Sequence, residues 1–358
     1  MKRVVITGIG PVSPIGIGRE AYFEALRERR SGLGPIAAFE AGGRLGGEIK
    51  NFNVADYLES QKNYLDRSSE LAFAAMSLAL EDADLDPKSC SADALLLGSA
   101  YGNLATMSLF FADFVQKGPR LVKPVLFPHT YSNTTISLLA MEYNLAGYHA
   151  NFSAGMVSSA CALVEGFDLI RQGRQTRALA GGFESLNPLL LSGLQAAGLL
   201  ADVNKEGGFV PGEGAGIVVL EEREQALARG ARILGEVRGA GRTGGGRVED
   251  ALEAAWKESG WEGAQVDLIL AHANGGSELD GLEAGVIKEF CARHPGATVD
   301  SIKSLTGETM GAGGALRVMA ALSFAESGLA GRPVNRMLVN SLDAGGQTVC
   351  LAVQGSGA

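Results

Sequence analysis

At 358 residues the chain exceeds the size at which a single hydrophobic core stops growing, so two packed halves are expected. Apolar residues make up 46% of it, yet no uninterrupted apolar run approaches the roughly 20 residues of a membrane-spanning helix, which argues for a soluble protein with no membrane partner. The formal net charge of −9 argues against nucleic acid, whose binding is driven by a basic surface.

The first apolar stretch, RVVITGIG, breaks at glycine and proline and reads as a buried strand and turn rather than a secretion signal, so a cytoplasmic location is expected. Gly8 and Gly10 suggest a dinucleotide loop, but Ser13 takes the third glycine position. Pro11 and Pro14 also disturb the helix start that would hold a pyrophosphate, so no cofactor is expected. Helical spacing follows at 68–83, a strand at ALLLGSAYGN, a strand at YHANFSAG (148–155) and a helix at 157–172. ALAGGFES and GIVVLEE read as further strands, and GAGRTGGGR (239–247) as a loop between the halves. Beyond it come a helix at 250–259, the strand DLILAHANGG, a helix at 311–327 and the strand MLVNSLDAGG. This alternation predicts an α/β protein of two fused halves, 1–235 and 236–358, sharing one core. Cys90, Cys161, Cys291 and Cys350 have neither the pairing of a zinc site nor the density of a disulfide scaffold, so all four are expected to be reduced and no metal is expected.

RVVITGIGPVSPIG, SGLGPIAAFEAGG, FVPGEGAGIVVLEE and SIKSLTGETMGAGGALRVMAAL resemble, in order, the matching blocks of bacterial β-ketoacyl-acyl carrier protein synthases. The resemblance runs from residue 3 to about residue 352 and implies a thiolase-like fold, two similar α/β halves in a layered αβαβα arrangement. It also implies a catalytic cysteine at a strand-to-helix turn, where the helix N-terminus stabilises thiolate and oxyanion. Gly173 and Ala180-Gly181-Gly182 match without a gap, and that register puts Met156 at the nucleophile, followed by the family's serines at Ser158 and Ser159. A thioether cannot form a thioester. Cys161 lies five residues further, about 7.5 Å along a helix and about 140° around it. It shares an apolar face with Val157 and Val164 and is expected to be an inert core thiol.

The resemblance implies two histidines that assist decarboxylation of a malonyl unit. The first matches His272, with Asp280 at the expected spacing, although Ala273 and Asn274 replace the usual Gly-Thr. In the second block Lys303 is kept and Glu308 stands where the histidine belongs. A carboxylate there repels a developing enolate; it could instead pair with Lys303 or cap the helix starting near Met310. The family's gating loop NSFGFGGTN becomes NSLDAGGQT, with Leu342 and Ala344 at the phenylalanine positions and Asp343 at a glycine. Phe209 matches a family position after a shortened loop.

Three altered positions on an intact scaffold resemble the chain-length-factor subunits of type II polyketide systems. The resemblance then implies heterodimerisation with an active ketosynthase through the strand YHANFSAG, with acyl carrier protein docking mainly on that partner. The chain's own basic groups, Lys117, Arg120 and Lys123, and Arg27, Arg29 and Arg30, are read as solvated surface. The alternatives are a malonyl-carrier protein decarboxylase and a condensing enzyme using another nucleophile.

Overall fold

The computed structural model describes residues 1–58, 62–201, 207–261 and 263–356. Much of the loop before Phe209, residues 202–206, therefore lies outside the described residues. The strands are β1 (Val4–Ser13), β2 (Gly16–Ile17), β3 (Gly34–Pro35), β4 (Leu45–Gly46), β5 (Ala94–Gly98), β6 (His149–Phe152), β7 (Arg177–Glu184), β8 (Gly214–Glu222), β9 (Gly235–Thr243), β10 (Leu268–Leu270), β11 (Thr298–Asp300), β12 (Arg336–Leu342) and β13 (Thr348–Gly355).

Two five-stranded arrays, β6-β5-β7-β8-β1 and β11-β10-β12-β13-β9, meet where β1 runs antiparallel to β9. Counted in chain order within each array, the first strand pairs antiparallel with the fifth, and the fifth antiparallel with the fourth. The fourth, second and third strands then run parallel. The same order and the same directions in both arrays make the two halves structural repeats.

Alternation along the strands sets the layers, because successive side chains leave opposite faces. Leu95 and Leu97 of β5 and Ile217 and Val219 of β8 join the outer cluster under the helix Arg67–Asp82, with Leu71, Phe73 and Met76. Leu96, Val218 and Leu220 face the central cluster instead, with Phe167, Leu316 and Met319. Each large apolar side chain so buried contributes about 1.5–3 kcal/mol. The helix Val248–Glu258 covers β9 and β13 from the far side. Between the arrays the helices Ser158–Arg171 and Gly313–Ser327 pack on one another, giving the αβαβα layering of a thiolase-like fold. Every residue from Gly313 to Phe324 is buried, as its nearly all-apolar sequence requires.

The segment GAGRTGGGR, expected as a loop, is strand β9 as far as Thr243. Its glycines serve close packing. A Cβ on Gly241 would lie 1.9 Å from the Ala251 carbonyl oxygen of the covering helix, and one on Gly239 would lie 2.7 Å from that of Ala255.

Candidate functional site

β6 ends at Phe152, and the chain turns through Gly155–Val157 into the helix Ser158–Arg171. Gly155 has φ +58°, a conformation that costs an L-residue roughly 1–2 kcal/mol. Ser158 locks the turn, its Oγ accepting the Ala154 N–H at 2.9 Å and donating to the Gly155 carbonyl at 2.7 Å. Ser159 ties the two central helices together, its Oγ accepting the Ala315 N–H at 3.1 Å. Met156 thus sits half-buried at the start of the helix, and its N–H donates to Asp343 Oδ1 at 2.9 Å. The other Asp343 oxygen accepts the Gly345 N–H at 2.8 Å and fixes the tight connection between β12 and β13.

His272, just past β10, is completely buried. Its backbone N–H donates to Glu283 Oε1 at 2.8 Å, and that of Ala273 to Glu283 Oε2 at 3.0 Å. Asp280 accepts the N–H groups of Asn274 and Gly275 at 3.0 and 2.8 Å, which shapes the loop. Lys303 and Glu308 are paired and almost fully buried, and the second Glu308 oxygen accepts the Met310 N–H at 2.8 Å. Pairing and capping thus fall to one carboxylate. His272 Nε2 stands 3.4 Å from Glu308 Oε2, and neither ring nitrogen has a hydrogen-bond partner among the described residues. Burial, then the charges of Lys303 and Arg317, hold the His272 imidazole well below its usual range, so it is neutral at pH 7. Burial also pushes the Lys303 ammonium down to about 8 against the opposing pull of Glu308.

A cavity of about 690 Å³ opens onto Met156, lined also by Phe209, Asn274, Leu342, Asp343 and Ala344. His272, Lys303 and Glu308 do not line it. Asn274 stands between, its Nδ2 3.1 Å from Glu308 Oε2 and 3.5 Å from the Met156 sulfur. The structure therefore brings Phe209, Leu342, Asp343, Ala344 and Met156 to one wall, and the two charged residues and His272 behind Asn274. None of the four thiols lines the cavity. Cys161 packs against the central cluster, whereas Met156 packs with Phe209 and Met310 in a separate apolar cluster. Burial raises the Cys161 thiol, the opposite of what a nucleophile needs.

Sequence reasoning missed Arg317, which is 0% exposed beside this cluster and donates to Ser341 Oγ at 2.7 Å. It was signalled by a lone charge in the otherwise uncharged run GGALRVMAAL. With Glu283 it completes a group of two buried cations and two buried carboxylates. Glu184 was missed as well: fully buried, it accepts the Ala100 N–H at 2.7 Å behind the turn. Among the surface cations, Lys117 pairs with Asp113 at 2.6 Å, Arg29 with Asp300 at 2.6 Å and Arg30 with Glu28 at 2.6 Å, while Arg27, Arg120 and Lys123 are exposed. No cluster of three or more potential metal ligands occurs among the described residues, and no helix among them is long and apolar enough to cross a membrane.

The family model for the beta-ketoacyl synthase N-terminal domain matches residues 1–226, and that for the C-terminal domain matches residues 234–335. A 3-oxoacyl-acyl-carrier-protein synthase 2 of Synechocystis sp. is 31% identical over 89% of this chain and 84% of its own length. A Staphylococcus aureus enzyme of the same name is 31% identical over 92% of this chain and 87% of its own length. Among solved structures, the ishigamide ketosynthase/chain length factor superposes with a TM-score of 0.90 at 26% identity, over 99% of this chain and 100% of that one. On the two domain matches and these relatives, the chain belongs to the beta-ketoacyl synthase family.

Proposed function

We propose that this chain is a chain-length-factor subunit, which pairs with an active β-ketoacyl-acyl carrier protein synthase and shapes the acyl tunnel in type II polyketide, aryl-polyene or specialised fatty-acid synthesis. The observation that carries the reading is the thioether of Met156 at the helix-start turn, facing a cavity that no thiol lines. A condensing enzyme needs a thiolate there, and methionine has no proton to lose. The environment of Glu308 supports the same reading. Held among Lys303, Asn274 and the Met310 N–H, its charge sits where the family's second histidine would stabilise an enolate.

The surface supports a protein partner. β6 is the outermost strand of its array, and Leu109, Phe111, Phe114, Val115, Phe127 and Met141, on the segments that precede it in the chain, are exposed. The missing cysteine then comes from the partner, and acyl carrier protein docks mainly on that subunit.

Incubation of the purified chain with malonyl-carrier protein tests the reading. The expected result is no carbon dioxide release above the protein-free rate from the chain alone, and condensation only when a cysteine-bearing ketosynthase is added. Carbon dioxide release by the chain alone favours a decarboxylase instead. An acyl adduct on Cys161 in the intact mass favours a condensing enzyme.

A further inference from the structure

A helix start leaves backbone N–H groups without intrahelical partners, and an oxygen with negative character is their natural acceptor. At the start of Ser158–Arg171 the acceptor for the Met156 N–H is supplied by the chain itself, in the carboxylate of Asp343. Its contact is close and specific. A Cβ built on Gly155 would lie 2.0 Å from Asp343 Oδ1, so this carboxylate lies directly over the turn and only a glycine leaves room for it. Asp343 and Met156 also share the wall of the 690 Å³ cavity, so the carboxylate and the turn face the same space.

An attacked thioester places its oxygen on such backbone donors as negative charge develops. We propose that Asp343 is a built-in occupant of the oxyanion position at the Met156 turn, so that the chain excludes acyl thioesters by occupancy as well as by lacking a nucleophile. The inference rests on reading Met156 as the family's nucleophile position. It does not depend on the partner, whose binding is measured separately by co-purification, so either can fail alone. On this account two independent changes, the thioether and the carboxylate, each close the site, and replacing the methionine leaves the second closure in place.

Met156→Cys provides a thiol that reports access to the turn. The full chain with that substitution is compared with chains carrying in addition Asp343→Ala or Asp343→Asn. Two probes are used: hexanoyl-N-acetylcysteamine, which transfers its acyl group to the thiol and releases N-acetylcysteamine, and iodoacetamide, which the thiolate attacks with loss of iodide. Peptide mass assigns each adduct to position 156. Acylation relative to alkylation should rise at least about tenfold with Asp343→Ala, since an oxyanion donor is freed. With Asp343→Asn, whose amide oxygen keeps the hydrogen bond, this ratio should stay within about twofold of the single variant, because the lost charge raises thiolate reactivity towards both probes alike. Alkylation needs no oxyanion donor and should rise in both, because both remove a negative charge beside the thiol. Acylation indifferent to Asp343 overturns the proposal. So does an equal rise of that ratio with Asp343→Asn, which shows that losing the hydrogen-bonded oxygen is not what admits the thioester. If circular dichroism shows that Asp343→Ala does not fold, Asp343→Gly is read by the same outcomes, since glycine is what the family's loop carries there.

Discussion

Glu308 changes what the buried cluster can do and what it costs to keep. Lys303 and Arg317 are buried cations, and Glu308 and Glu283 are the carboxylates that balance them. Breaking such a set by removing one partner leaves an uncompensated buried charge, so Glu308→Gln is expected to destabilise the fold by about 3–5 kcal/mol in chemical denaturation. His272 gives a second test, through pH. Its folded value lies well below the ordinary 6.5, so at pH below 6.5 the unfolded chain binds a proton that the native chain refuses. Stability therefore falls as the pH drops from 7 towards 5, by up to about 1.4 kcal/mol per unit for this group. His272→Gln should remove that part of the acid limb in denaturation midpoints measured across the range, and an unchanged limb assigns it to other groups. Neither residue would turn the site into a synthase. Restoring only the thiol, by Met156→Cys, is expected to leave condensation far below that of an active family member, because residues acting as one catalytic unit are strongly non-additive.

Elements became legible where one physical signal dominated. The helices at 67–82, 158–171 and 248–258 were readable because each presents apolar residues at helical spacing to a sheet, and that at 313–327 because its apolar run is too long for a strand. β9 was not, since glycines at 239 and 241, demanded by a helix backbone pressed against the strand, look like turn residues in a sequence. Short β11 and the helix Ser277–Arg293, with its weak amphipathic pattern, left no clear periodicity. In the site, the motif blocks led to Met156, His272, Lys303 and Glu308, whereas the bridging of Met156 and Glu308 by Asn274 joins segments 118 and 34 residues apart and is visible only in three dimensions. The contact between Asp343 and the turn is of the same kind. Gly155→Ala tests it at the level of the element: the new methyl cannot coexist with Oδ1 at 2.0 Å, so the connection between β12 and β13 must move. The expected outcome is a loss of about 1–2 kcal/mol from backbone strain alone, and faster amide exchange at Met156 and Gly345.

At the scale of the molecule, assembly turns on one edge. β6 pairs with β5 on one side and has no strand on the other among the described residues. Such an edge is an aggregation hazard unless something covers it. The helix Leu104–Lys117 adds to the same problem: Leu109 is 67% exposed and Val115 80%, about 120° apart around the helix, so apolar side chains meet water over much of its circumference. The segment Pro124–Thr130 packs on this helix, and the helix Thr134–Glu142 packs on both that segment and β6, so the exposed apolar side chains and the edge belong to neighbouring elements. A partner whose own edge strand continues the sheet covers both at once, with a burial of at least about 2,000 Å² as in obligate pairs. Co-expressed with a cysteine-bearing ketosynthase, the chain is expected to co-purify as a one-to-one complex by native mass spectrometry. The double substitution Leu109→Glu and Val115→Glu places charges where the side chains already meet water, so the isolated fold should melt within about 0.5 kcal/mol of the unaltered chain. In the complex the same charges lose their water without a partner, and assembly should weaken by at least about tenfold. A complex that survives the double substitution puts the interface elsewhere, and a stable homodimer that ignores the ketosynthase removes the basis for a chain-length factor.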